Sequence, residues 1–212
     1  MKEERLDRIL RAKEYDVISF DIFDTLIYRD VGSPENIFDY ISDEAKRRGI
    51  SIDHFKEKRI LAERIVRRNY CENEITLNDI YHFFMVNHKL EKESVETLKE
   101  IEIVEEKKHC FSRSKMQTIY ENAVGKKRII ITSDMYLEAD VIRQILAQAG
   151  IRSFDKLYLS SHYGMTKRSG KLFERLIVEE NVLPNKIVHI GDNPISDYLS
   201  AKKNGLQAIL IK

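Results

Sequence analysis

The sequence predicts an α/β fold: an open parallel sheet of five main strands, with an all-helical domain inserted after the first strand. Three observations predict it. Five short apolar runs end in polar or Gly-containing turns, and helical patterns separate the last four of these runs. About a hundred residues between the first and second runs carry dense charge and helical periodicity with almost no strand signal. Strands alternating with helices are what a parallel sheet with crossover helices requires.

Taken in order, Leu6, Ile9 and Leu10 stand at helical spacing and predict a short amphipathic helix leading into a first strand at Asp16–Phe20. Residues 1–30 and 124–212 are assigned to the sheet domain and 31–123 to the helical insertion. Candidate helices of the insertion are Pro34–Arg48, Asp53–Asn69, Leu77–Asn87 and Glu91–Asn122, the last open to a break near Phe111. Ser33 before Pro34 suits an N-cap with Pro at the first helical position, and Thr76 suits the cap of the third helix. The sheet resumes with Arg128–Thr132. Glu138–Ala149 then carries Val141, Ile142, Ile145 and Leu146 on one face, with Gly150 as its stop. Strand Lys156–Ser160, helix Gly170–Glu180, strand Lys186–Ile190, helix Ile195–Asn204 and strand Leu206–Ile211 complete the alternation.

Composition narrows the function classes. A chain of 212 residues, 42% hydrophobic and 33% charged, suits a core domain carrying one smaller inserted domain. Lys and Arg number 36 against 35 Asp and Glu, so no global field draws in nucleic acid or an anionic membrane, and neither is expected as a partner. An anionic substrate has to be held by a local site. Cys71 and Cys110 lack a metal-type spacing and fit free thiols in a reducing compartment. The sequence shows no signal-peptide pattern and no run of the ~20 apolar residues that a membrane span needs, which predicts a cytoplasmic protein.

Ligands of a parallel sheet bind beyond the carboxyl ends of its strands, so the residues just after each apolar run carry the chemistry. The first strand end reads Asp21-Ile22-Phe23-Asp24-Thr25, two carboxylates with two residues between them. The second is Thr132-Ser133-Asp134. The third region, Gly164-Met165-Thr166-Lys167, brings a cation, with Lys171 as the competing choice. The fourth is Gly191-Asp192-Asn193-Pro194-Ile195-Ser196-Asp197, with two more carboxylates. Acids, hydroxyls and a lysine at four strand ends are the groups that phosphoryl transfer at a metal needs. Clustered carboxylates repel one another, and a hard divalent cation with oxygen ligands makes such a cluster tolerable.

In this order, an Asp pair before Thr (taken as DxDxT), a strand-end hydroxyl, a lysine and GDxxxxD resemble the four motifs of the haloacid dehalogenase (HAD) superfamily. The resemblance covers the whole core and implies a Rossmann-like HAD sheet with a type 1 helical cap. It implies a magnesium-dependent phosphatase in which Asp21 attacks phosphorus and Asp24, in the place of the second Asp, protonates the leaving group and then activates water. Asp21, the backbone carbonyl of Asp24 and Asp192 would hold Mg2+, with Asn193 and Asp197 in support. Lys167 would neutralise charge, and Thr25, Ser133 and Asp134 would bind substrate, with Thr132 competing for the place of Ser133.

The stretches around Met135-Tyr136-Leu137 and Tyr158-Leu159-Ser160-Ser161 resemble a subgroup associated with glycosyltransferases of bacterial surface polysaccharides, which points to a sugar or polyol phosphate and to association with such a system. Selectivity would lie in the cap, where Arg67, Arg68, Tyr70 and His88 have chemistry suited to an anionic, hydroxylated substrate. Arg67 and Arg68 equally fit a solvated helix face, and Phe83 and Phe84 fit cap core. Rival readings are a phosphomutase or phosphotransferase, attack on carbon as in a dehalogenase, and a non-catalytic module of a polysaccharide-synthesis system. Asp24 is the discriminator against carbon attack, because the family's dehalogenases lack an acid at the motif's second position.

Overall fold

The computed structural model describes residues 14–70 and 74–211, so the expected N-terminal helix and Cys71 lie outside the described residues. Its strands are β1 (Val17–Phe20), β2 (Ile27–Arg29), β3 (Cys110–Ser112), β4 (Arg128–Ser133), β5 (Lys156–Leu159), β6 (Ile187–Gly191) and β7 (Gln207–Leu210). Five of them form a parallel sheet in the order β5-β4-β1-β6-β7, the five that the apolar runs predict. β1 is central because every residue of its Val-Ile-Ser-Phe run is buried, as expected of a parallel strand covered on both faces.

Side chains alternate across that sheet. Ile18 and Phe20 join one apolar cluster, while Val17 joins a second with Ile130, Tyr158, Phe173 and Ile187. The register sets Phe20 beside Ile131 and Ile190. The chain following each of the three strands therefore emerges at one edge, and Asp21, Ser133 and Asp192 are neighbours by topology.

The helices of the insertion are α1 (Ile37–Arg47), α2 (Phe55–Tyr70), α3 (Leu77–His88) and α4 (Lys92–Lys108). Pro34–Asn36 forms a 3-10 turn ahead of α1, with Ser33 at the cap position. Thr76 caps α3 as expected: its hydroxyl accepts from the Asp79 amide at 3.2 Å, and Asp79 accepts from the Thr76 amide at 2.8 Å. The helical pattern over Glu91–Asn122 does break near Phe111, into α4, strand β3 and α5 (Ser114–Ala123). β3 pairs antiparallel with β2, Ile27 opposite Ser112, and this two-stranded ribbon marks where the chain leaves and rejoins the sheet domain. α5 turns Tyr120 edge-on to Phe20 of β1 at 6.1 Å, so it packs on the sheet although the sequence reading placed it in the insertion.

Insertion and sheet share one continuous apolar cluster, from Ile18 and Phe20 through Leu26 and Ile27 to Phe38, Ile41, Phe55 and Phe84. A fully buried arginine sits inside it. Arg59 of α2 donates to both carboxylate oxygens of Glu102 on α4, at 2.6 and 3.0 Å, and the Tyr81 hydroxyl adds a bond to Glu102 at 2.8 Å. The guanidinium lies over the rings of Phe38 and Tyr136, and Tyr136 belongs to the loop after β4.

The remaining helices are α6 (Ala139–Gln148), α7 (Ser160–Tyr163), α8 (Lys171–Glu180) and α9 (Ser200–Lys203). The helix expected from Ile195 begins as a π-helical turn, Pro194–Leu199, before α9. Among the described residues no helix is long and apolar enough to cross a membrane.

Candidate active site

Asp21 follows β1 directly, and its amide donates to Ile190 O on β6 at 2.9 Å. The buried ammonium of Lys167 reaches Asp21 Oδ1 at 2.5 Å and Asp197 Oδ1 at 2.6 Å. Oxygens of Asp21, Asp192 and Asp197 lie within 4.8 Å of one another. Thr25 donates weakly to Asp192 Oδ1 at 3.4 Å.

The lysine is aimed by its loop. Asp134 accepts from the amides of Lys167 at 2.6 Å and Arg168 at 3.3 Å, and the Ser200 hydroxyl binds the Lys167 carbonyl. Lys171, the competing choice, is exposed at the first position of α8. Asp134 thus organises the lysine loop rather than presenting a free group to a substrate.

Asp197 is fully engaged. Oδ2 accepts from the Asn193 amide at 2.9 Å, and Oδ1 meets both Lys167 and His189 Nε2, the latter at 3.3 Å. Asn193 also caps the π-helical turn, accepting from Ile195 and Ser196. Behind them His189 Nδ1 and Thr132 Oγ1 each lie 2.8 Å from Ser19 Oγ. Thr132 is therefore committed to this buried relay in the sheet, and Ser133, buried at the last position of β4, is the hydroxyl at the strand end. Ser19 and His189 were not anticipated from the sequence; polar residues inside the apolar runs VISF and IVHIG were the available signal.

The charges diverge. Burial pushes the Asp21 carboxyl up to about 7 against the pull of Lys167, with Asp197 and Asp192 adding repulsion. Burial acts on Asp197 in the same sense, but Lys167 and His189 outweigh it and hold that carboxyl below its usual range. Burial alone would lower the Lys167 ammonium, yet Asp21, Asp197 and Asp134 raise it, and it stays charged. Burial also lowers His189 and raises Asp192, the latter with help from Asp197 and Asp24. Three carboxylates around one ammonium leave excess negative charge on hard oxygen donors. That donor set fits a divalent cation such as magnesium, which Asp21, Asp192 and Asp197 could hold.

Asp24 departs from expectation. In a DxDxT pattern the second Asp stands two residues after the first and Thr four after it; Thr25 obeys, but the second position holds Phe23, and Asp24 comes one residue later. Asp24 is exposed, with a left-handed φ of 57°. Its carbonyl accepts from the Arg113 guanidinium, so the expected magnesium-binding carbonyl is already taken by a cation. The carbonyl two residues after Asp21 belongs to Phe23.

The cap candidates have contacts within the insertion or lie exposed. Arg67 is paired with Glu63 and Glu74, the Tyr70 hydroxyl donates to Asp79 at 2.7 Å, and His88 packs against Phe84 at 4.6 Å. Arg68 is exposed on α2. The buried Glu74, also not anticipated, accepts from the Ser160 hydroxyl at 2.7 Å and joins the insertion to the end of β5.

A family model for haloacid dehalogenase-like hydrolases matches residues 15–205. No curated protein sequence matches the chain significantly. Among solved structures, a 2-haloacid dehalogenase from Pseudomonas syringae pv. Tomato DC3000 is similar at a TM-score of 0.68 and 17% identity, covering 92% of this chain and 86% of that one. The HAD-hydrolase YfnB from Bacillus subtilis, described with bound magnesium, gives 0.63 at 15% identity over 94% and 89%. A predicted phosphoglycolate phosphatase from Haemophilus somnus 129pt gives 0.59 at 12% identity over 93% and 85%.

Proposed function

The chain belongs to the haloacid dehalogenase-like hydrolases, and we propose that within that family it is a magnesium-dependent phosphomonoester hydrolase acting on a small phosphorylated metabolite, with sugar and polyol phosphates as the first candidates. One observation carries this reading: Asp21, Asp192 and Asp197 converge around Lys167 at the strand ends. A magnesium ion bound there would supply charge neutralisation for the phosphoryl oxygens. Asp21 attacks phosphorus in line, and the oxygen–phosphorus bond to the alcohol breaks while Asp24 gives that oxygen its proton. Asp24 then takes a proton from water, whose oxygen attacks the phosphorus and releases Asp21 and inorganic phosphate. Lys167 stabilises the charge on Asp21 throughout. The insertion reaches the same edge of the sheet, since Leu77 donates to Tyr136 O at 3.0 Å and Glu74 meets Ser160, so substrate selection falls to it.

The test is a panel of phosphate esters with magnesium. Wild-type protein releases phosphate, whereas Asp21→Asn, folded by circular dichroism, and wild type in EDTA do not. Turnover by Asp21→Asn, or turnover unaffected by the chelator, would refute the proposal.

Phe23 at the motif's second position favours a second reading, attack on carbon as in a dehalogenase. A carboxylate-bearing haloacid would meet repulsion from Asp192 in this cluster. Turnover in water enriched in oxygen-18 separates the readings: hydrolysis at phosphorus labels the phosphate, and hydrolysis of an alkyl ester at its carbonyl carbon labels Asp21.

A further inference from the structure

We propose that Arg113 is the positioning residue for Asp24, holding in place an acid that stands one residue later than the family pattern puts it; this rests on the phosphatase reading. Phe23 cannot supply the proton. Its ring lies under the Arg29 guanidinium at 4.1 Å, and Arg29 is itself fixed by Glu106 of α4 through bonds of 2.8 and 3.2 Å. The second motif position is thereby built into the contact between ribbon and insertion.

The next residue has to turn back for a carboxylate to face the cluster. Asp24 turns with a left-handed φ of 57°, a conformation that Asp tolerates better than most non-glycine residues but that needs support from its surroundings, and its charge acts on Asp192. Immediately afterwards the Thr25 hydroxyl is directed at Asp192. The turn closes tightly, with the amides of Leu26 and Ile27 donating to Ile22 O at 2.9 and 3.0 Å.

Arg113 supplies the support from the other crossing between the two parts of the molecule. It follows β3, where the chain rejoins the sheet domain, and its amide donates to Leu26 O at 2.9 Å. From that anchor its guanidinium binds the Asp24 carbonyl. The contact falls on the backbone, so Arg113 leaves the carboxylate to the chemistry and fixes the peptide that carries it. It also ties the acid to the ribbon through which the insertion is connected.

A lost general acid slows expulsion of a poor leaving group far more than a good one, and a general structural defect slows both. Arg113→Ala should reduce kcat/KM for an alkyl phosphate by about a hundredfold and for p-nitrophenyl phosphate by less than about threefold, the same selective pattern as Asp24→Asn. Arg113→Gln, which keeps an N–H donor, should restore most of the alkyl activity. Melting temperatures check that each variant is folded. Equal losses on the two esters, or an alkyl loss that Gln does not repair, overturn the positioning role while leaving the phosphatase reading intact. Wild-type protein that cleaves neither ester overturns the phosphatase reading and the positioning role with it.

Discussion

Gly191 shows how much of the site is decided by single residues. It ends β6 without a left-handed φ, so conformational freedom is not what demands a glycine. A Cβ there would collide with the Asp197 side chain, which passes close because it must reach the Lys167 ammonium and the Asn193 amide together. Gly191→Ala should therefore cost about 1 to 3 kcal/mol in urea unfolding and cut kcat at least tenfold by displacing Lys167 from Asp21. A variant with wild-type stability and activity would mean that Asp197 can move without consequence. The members of the cluster were legible in the sequence: Asp21 and Asp192 directly follow apolar runs, and Lys167 and Asp197 stand in the polar segments after them. At Asp24 the sequence was misread: counting back from Thr25 puts the second motif position on Phe23, and the left-handed turn that follows has no periodic signature.

Elements were legible in proportion to their length. The five apolar runs became the five strands of the sheet, because a strand buried on both faces must be apolar throughout. β2 and β3 escaped notice because each has three residues and they lie at opposite ends of the insertion, so neither the pattern nor the pairing is local. Arg59 escaped too, since an arginine within a charged helix reads as solvated until α4 brings Glu102 against it. That pair holds α2 to α4 by charge inside an apolar cluster. The other carboxylate on the Arg59 guanidinium is the partly exposed Glu63, at 3.2 Å, so Glu102→Gln removes the buried counter-charge and should destabilise the fold by about 3 kcal/mol or more in urea unfolding. A loss below about 1 kcal/mol would show that Glu63 alone balances the Arg59 charge.

At the scale of the molecule, the sequence showed that a helical segment interrupts the sheet but not how the two meet. Their junction depends on contacts between distant residues: Glu74 with Ser160, Leu77 with Tyr136, and the apolar cluster running from Phe20 to Phe84. It brings the insertion against the loop after β4 and the end of β5, and Arg113 joins the returning chain to Asp24. The central claim concerns what Asp21 does at that place. Wild-type protein mixed with a cleavable phosphate ester and magnesium, quenched in acid within one turnover and reduced with borohydride, should yield a peptide whose only reduced carboxyl is at position 21, the mark of an aspartyl phosphate. Reduction at another carboxylate, or no reduced peptide during active turnover, would contradict it.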